Sequence, residues 1–224
     1  MRLEAIGLSL ELPHRCLFSG LNLEVDAGEA VAIVGPSGSG KTSLLNALAG
    51  ILPVLSETLA IDGVDLGAMS ANAKARFRLR HVGLVFQFAE LLPELNAMEN
   101  VALPLRLLGT PKNSADGRAR EWLRRVGLGD LTAAHTDVLS GGERQRVAVA
   151  RALVTGPSIV IADEPTGSLD RNNADVIADL LIDRAGTVDA GLVIATHDIQ
   201  VAARCHRILE LTPEGLRPPG VVGS

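Results

Sequence analysis

The sequence predicts an α/β fold in which a largely parallel sheet is covered by helices on both faces. Three observations point there. Short apolar runs bounded by glycine recur along the chain, helical patterns fall between them, and 47% of the 224 residues are hydrophobic. Strands covered on both faces read as continuous apolar runs, and strand–helix alternation marks this class. A chain of this length can bury a sizeable core as a single domain over residues 1–224.

In chain order, a strand pair is expected at Leu3–Leu12 and Thr58–Ile61, and glycine-bounded strands at 21–25, 30–34, 82–86, 159–162 and 192–195. Helical patterns occupy 41–49, 113–126, 143–154, 172–184 and 199–204. Residues 89–131 hold apolar helical turns and no strand, which reads as a helical insertion between two parts of one core. The tail, about 213–224, carries Pro218-Pro219 and three glycines and is expected to be loosely ordered.

Composition excludes several function classes. A net charge of −5 gives no basic field to attract DNA or anionic lipid. Four Phe, one Trp and no Tyr are too few for a base-stacking surface, so no nucleic-acid partner is expected. No window holds the roughly 18 apolar residues of a spanning helix. The N-terminus lacks the charged-then-apolar pattern of a signal peptide, so neither secretion nor a membrane span is expected. Cys16 and Cys205 have no zinc-type spacing and read as free thiols in a reducing compartment.

Chemistry is concentrated in three motifs. Gly35-Pro36-Ser37-Gly38-Ser39-Gly40-Lys41-Thr42, followed by Ser43, matches G-x-x-x-x-G-K-[ST] between an apolar strand and a helix. Glycines let backbone N–H groups curl around phosphate oxygens, and the new helix adds its positive end. Lys41 is expected to reach the β- and γ-phosphates, and the Thr42 hydroxyl to ligate Mg²⁺. A glycine-rich turn with a chance lysine is the bland alternative, and the flanking strand and helix argue against it. The second motif is the apolar strand ending in Asp163-Glu164. It is expected to lie beside the phosphate-loop strand, with Asp163 holding Mg²⁺ and Glu164 polarising the attacking water. The third is Leu139-Ser140-Gly141-Gly142-Glu143-Arg144-Gln145. Ser140 and Glu143 make a capping box, and the same helix start with two glycines suits an anion.

With the phosphate loop before it and the Asp-Glu strand after it, this third segment resembles the signature of the ATP-binding cassette (ABC) ATPases. The resemblance covers nearly the whole chain. It implies a P-loop NTPase fold: a RecA-like core, an antiparallel β lobe from the N-terminal strands, and a helical lobe at about 89–156. It also assigns further residues. Gln87 falls at the glutamine that senses Mg²⁺ and water and meets the membrane partner. Ser168-Leu169-Asp170 is similar to the loop that crosses the dimer interface, and Thr196-His197-Asp198 to the switch histidine at the γ-phosphate. In this family each ATP lies between the phosphate loop of one subunit and the signature of the other. The resemblance therefore implies MgATP hydrolysis by a homodimer formed on ATP binding. It adds a separate transmembrane permease that holds the chain on the inner, cytoplasmic face of the cell membrane. The Ser140-Gly141-Gly142-Glu143 segment of the other subunit would bind the nucleotide, and Lys41, the loop amides and that subunit's Ser140 and Gly142 would stabilise charge on the γ-phosphate.

Within the family, residues 85–105, 162–170 and 196–205 resemble the lipoprotein-releasing and macrolide-exporting group, which drives a large extracytoplasmic domain of its permease. Residues 91–107 are expected to offer that permease an apolar groove, the alternative being a core helix pair. The stretch 15–23 is similar to haem-exporter ATPases. One departure bears on the ligand: the family's early adenine-stacking tyrosine is absent, and His14 and Phe18 are the candidate substitutes. A GTPase would need N-K-x-D, which does not occur, and a kinase would need an acceptor pocket and an arginine-bearing lid. A non-transport ABC protein would carry two cassettes or a long coiled coil. An ATPase that signals through a membrane partner without moving cargo has the same catalytic parts and remains the alternative.

Overall fold

The computed structural model describes residues 2–13, 15–187 and 190–219. The chain begins with β1 (Leu3–Leu12), β2 (Arg15–Val25) and β3 (Ala30–Val34), then α1 (Lys41–Leu48), β4 (Thr58–Ile61) and β5 (Val64–Asp65). Next come α2 (Ala71–His81), β6 (Val82–Val85), α3 (Ala97–Leu107), α4 (Lys112–Arg125), a short 3₁₀ turn and α5 (Gly141–Leu153). It ends with β7 (Ile159–Asp163), α6 (Arg171–Thr187), β8 (Gly191–Ala195), α7 (Ile199–Ala202), β9 (Arg207–Thr212) and β10 (Gly215–Arg217).

Two sheets result. An antiparallel sheet runs β2-β1-β4-β5, and a second sheet runs β10-β9-β3-β8-β7-β6 with all neighbours parallel except the edge strand β10. Alternation along the central strands divides the interior into two cores. Ala30, Ala32, Val160, Ala162, Leu192 and Ile194 face the helical side. Val31, Ile33, Ile159, Ile161, Val193 and Ala195 face α1 and the antiparallel sheet. Covering both faces is what makes these strands continuously apolar.

Four expectations need correction. The Asp163 strand does not adjoin the phosphate-loop strand, because β8 lies between them. Register restores the consequence: Ile33 pairs with Ala195 and Asp163 also pairs with Ala195, so the three carboxyl ends are level. The strand expected at 21–25 begins at Arg15, because β2 continues as a hairpin with β1. The tail is ordered further than its prolines suggest. Gly215, at φ +119, turns the chain so that β10 pairs with β9, and Arg217 closes on Glu210 at 3.1 Å; residues 220–224 lie outside the described residues. Helix α2 has no counterpart in the sequence reading. It buries none of its residues, so it lacks an apolar stripe, and it rests on a Ser70 cap and on Arg78 donating to the Gly50 carbonyl.

The helical lobe is built around buried polar anchors as well as apolar packing. Asn96 and Glu99 cap α3 reciprocally, and fully buried Asn100 donates to the carbonyls of Leu92, Leu95 and Asn96 while accepting from the Leu92 N–H. Ala97, Val101, Ala102 and Leu105 pack inward, whereas Leu92 and Leu107 stay exposed. The 91–107 segment thus serves the core on one face and leaves apolar groups on the other.

Candidate active site

Strand β3 ends at the phosphate loop, and α1 starts directly after it. Gly40 takes the N-cap position of α1 at φ +101, a left-handed backbone that an L side chain rarely adopts, and no side chain caps the helix. The first N–H groups of α1 are therefore free of any side-chain cap, and they add to the positive helix end. The Lys41 ammonium lies over the loop and donates to the Gly35 and Pro36 carbonyls at 2.9 and 3.2 Å.

The level strand ends bring the acidic groups to this loop. The Thr42 hydroxyl donates to Asp163 Oδ2 at 2.7 Å, which joins two residues 121 positions apart. Asp163 Oδ1 is buried with no hydrogen-bond partner among the described residues. An orphaned carboxylate oxygen beside a hydroxyl is a fitting donor set for a hard cation that keeps several waters and takes its other ligands from phosphate. Glu164 has φ +45 and donates its N–H to the Ala195 carbonyl, so the chain turns sharply after β7 and aims the two carboxylates differently. Glu164 Oε2 lies 2.7 Å from His197 Nδ1 and accepts the His197 N–H at 3.3 Å. Gln87, just past β6, is tethered through its carbonyl, which accepts from Ser168 Oγ at 3.2 Å.

These groups surround a cavity of about 680 Å³. Gly35, Ser37, Gly38, Gly40, Lys41, Thr42 and Ser43 line its floor, with Gln87, Asp163, Glu164 and His197 at one end. Leu12, Arg15 and Leu17 of the β1–β2 hairpin close the other end. Pro36 and Ser39 instead line a neighbouring cavity of about 350 Å³. Phe18 is fully buried and cannot meet a ligand, which removes it as a base-stacking residue. His14 lies outside the described residues.

Ser140, Gly141, Gly142, Glu143 and Asp170 do not line this cavity. They form a second assembly on α5 and α6. Ser140 Oγ accepts from the Glu143 N–H at 3.3 Å, and Glu143 Oε2 accepts from the Ser140 N–H at 2.7 Å. Those bonds hold the Glu143 carboxyl below its ordinary range. Asn173 joins the loop to the helix: its amide donates to Asp170 Oδ2 at 2.7 Å, and its oxygen accepts from Arg146 at 2.9 Å. A Cβ on Gly142 would stand 2.5 Å from that oxygen, so any larger residue there must push the Asn173 side chain out of its contacts. Asn173 and Arg151 escaped the sequence reading, as did the contact that Gln145 makes. Gln145 donates to the Phe86 carbonyl at 2.9 Å, and Arg151 donates to the Ala89 and Glu90 carbonyls at 2.8 and 2.7 Å. One helix thus carries the signature at its start and holds the turn after Gln87 along its length. No local pattern announces such contacts, since each crosses about 60 residues of sequence.

The sequence profile of the ABC transporter family matches residues 18–167, which include the phosphate loop, Gln87, the signature and the Asp163-Glu164 pair. The chain belongs to this family. It is 45% identical over 196 residues to the lipoprotein-releasing system ATP-binding protein LolD of Hydrogenovibrio crunogenus, covering 88% of this chain and 85% of that one. It is also 45% identical over 195 residues to the uncharacterised ABC transporter ATP-binding protein YbbA of Escherichia coli, covering 87% and 86%. Among solved structures, a dimeric post-hydrolysis state of the ATP-binding cassette MJ0796, bound to ADP and Pi, superposes with a TM-score of 0.86 at 31% identity, covering 99% and 100% of the two chains. The fold is accordingly that of an ABC nucleotide-binding domain, and the chain is an ATP-binding, ATP-hydrolysing subunit that works as a dimer of cassettes.

Proposed function

We propose that this chain powers a separate permease of the lipoprotein-releasing and macrolide-exporting type, as a homodimer seated on the inner face of the membrane. The names of its relatives support the subgroup. Among the described residues no helix is long and apolar enough to cross a membrane, so a membrane function needs a partner. A groove of about 310 Å³ between α2, β6, α3 and α5, with Phe86, Pro104 and Leu84 in its lining, supports partner docking there. It is flanked in sequence by exposed Phe88, Leu92 and Leu107. Signalling without cargo uses the same parts, and no observation favours it.

The single observation that carries the catalytic reading is the Glu164 carboxylate, fixed by the His197 ring and N–H beside the Thr42–Asp163 pair. In this reading Glu164 takes a proton from water as the water oxygen attacks the γ-phosphorus in line, and ADP leaves. His197 orients the carboxylate. Lys41 and the loop amides balance charge from one subunit, while Ser140 and Gly142 at the signature helix start do so from the other. Thr42, Gln87 and Asp163 would hold Mg²⁺, whose charge neutralises the phosphate oxygens. Glu164→Gln tests this. Hydrolysis should fall by roughly 10²- to 10⁴-fold, the size of general-base effects. ATP should still bind and convert the variant to a dimer in size exclusion with light scattering. Normal hydrolysis by the variant would remove Glu164 from this role, and a monomer that binds ATP would remove the homodimer.

A further inference from the structure

We propose that Gln145 and Ser168 are positioning residues for hydrolysis: they hold the backbone on either side of Gln87 and so fix where its side chain stands at the carboxylate end of the cavity. This rests on the role given to Gln87 in the ATPase reading above and names the groups that set it.

Gln87 stands where the sheet has stopped holding the chain. Val85 is the last residue of β6 and pairs with Ala162, and the chain then passes through Phe86 and Gln87 to a turn with φ +53 at Ala89 and +48 at Glu90. Between ladder and turn, side chains from two other elements take hold. The Gln145 amide, fully buried on α5, donates to the Phe86 carbonyl at 2.9 Å. The Ser168 hydroxyl, on the loop after Glu164, donates to the Gln87 carbonyl at 3.2 Å. These carbonyls belong to the two peptide planes that flank the Gln87 Cα. Because each plane is rigid, tying both fixes φ and ψ of Gln87, and with them the direction of its side chain.

That side chain enters the site. Gln87 lines the cavity at the end that holds Asp163, Glu164 and His197. It also runs close to Gly167, where a Cβ would come within 3.2 Å of Gln87 Nε2 and 3.4 Å of the Glu164 carbonyl oxygen. Bare backbone thus separates the Gln87 amide from the turn that carries Glu164.

Satisfying polar groups does not account for these two bonds. The Phe86 carbonyl also accepts the Ala89 N–H at 3.3 Å, so it keeps a partner without Gln145. Ser168 is exposed, and water there can satisfy the Gln87 carbonyl in its place. What the bonds add is geometry, and catalysis is where geometry is felt. Losing a group that orients a metal ligand costs roughly 10- to 100-fold, and a misplacement of about 1 Å costs about 10²-fold.

The experiment measures steady-state hydrolysis and calorimetric ATP binding for the wild type, Gln145→Met, Ser168→Ala, Gln87→Ala and the two doubles with Gln87→Ala. The Mn²⁺ affinity of each ATP complex is read by electron paramagnetic resonance with Glu164→Gln added, so that the nucleotide persists. Methionine keeps the length of Gln145 and removes its donor. In Gln145→Met, kcat should fall roughly tenfold or more. KM and ATP affinity should stay within about twofold, and Mn²⁺ should bind severalfold more weakly. Ser168→Ala should move the same quantities in the same direction by less. With Gln87→Ala already present, neither substitution should lower kcat or Mn²⁺ affinity further by more than about twofold.

The same loss in both backgrounds would place the effect in the packing of α5 or in the dimer interface and overturn the proposal. So would unchanged kcat in both single variants, or weaker ATP binding with kcat intact. If Gln145→Met folds poorly in a thermal scan, the exposed Ser168→Ala carries the same cycle. These outcomes leave the ATPase reading standing. Normal hydrolysis and Mn²⁺ binding by Gln87→Ala would instead strike the role of Gln87 in that reading, and this proposal with it.

Discussion

The phosphate loop and the signature turn are both glycine-rich helix starts, yet they are held by different means. At the phosphate loop, α1 has no side-chain cap, its N-cap is a left-handed glycine, and the backbone itself is shaped for an anion. At the signature, Ser140 and Glu143 satisfy each other's N–H groups, and Asn173, Asp170 and Arg146 lock the turn through side chains. The first is a site made of backbone at the level ends of a rigid sheet. The second is a surface made of side chains, poised for another chain.

Two glycines break the comparison most sharply. Gly40→Ala puts a Cβ on a left-handed residue, which costs on the order of 1–3 kcal/mol, and it moves the helix start. ATP affinity should fall by tenfold or more in equilibrium binding. Gly142→Ala should leave ATP affinity intact and lower hydrolysis, since its Cβ collides with Asn173 at 2.5 Å on the other assembly. Asn173→Ala should remove most of the further loss on adding Gly142→Ala, a coupling that a double-mutant cycle of kcat would expose. Gly117→Ala, on the exposed side of α4 with nothing within 4 Å, serves as the control.

The same contrast explains what could be read from the sequence. Backbone sites leave local patterns: the loop from Gly35 to Thr42 and the strand ending in Asp163-Glu164 each announce their chemistry within a dozen residues. Their mutual placement is less legible, because β8 inserts between β3 and β7 and only the register with Ala195 brings Thr42 to Asp163. Side-chain assemblies leave a pattern only where their contacts are local, as in the Ser140–Glu143 capping box. Nothing near Asn173 says that it will fill the space before Gly142, and nothing near Arg151 says that it will hold residues 89 and 90. Helix α2 was invisible for a related reason, having no buried stripe to set its period. Phe18 misled because a register shift in the hairpin turns both Leu17 and Phe18 inward, where simple alternation would bury only one of them.

Arg151 sharpens the link between the two assemblies. It binds the carbonyls of Ala89 and Glu90, whose φ values of +53 and +48 are strained for residues other than glycine. Burial lowers the pKa of its guanidinium, so an apolar replacement of similar length recovers some desolvation cost. It still leaves those carbonyls unpaired at about 1–3 kcal/mol. Arg151→Met should therefore lower the thermal midpoint by several degrees, with ATP affinity little changed. Adding Glu90→Gly should restore part of the loss, because glycine relieves a left-handed position at about 1 kcal/mol.

The smallest effect is electrostatic and falls on one side of the comparison. On the signature assembly, Glu143 is held low by hydrogen bonds from Ser140, and Asp170 by hydrogen bonds from Asn173. Both folded values lie below the unfolded ones, so their contribution is present above the unfolded carboxyl range near pH 4 and fades as pH falls through the folded values. Both groups are exposed, which keeps the contribution small. In calorimetric scans from pH 7 to pH 3, Glu143→Gln should start from a slightly lower midpoint and decline less steeply below pH 4 than the wild type. Parallel curves would mean that the capping carboxylate is equally favoured in the unfolded chain, and that the signature turn is held by Asn173 and Gly142 alone.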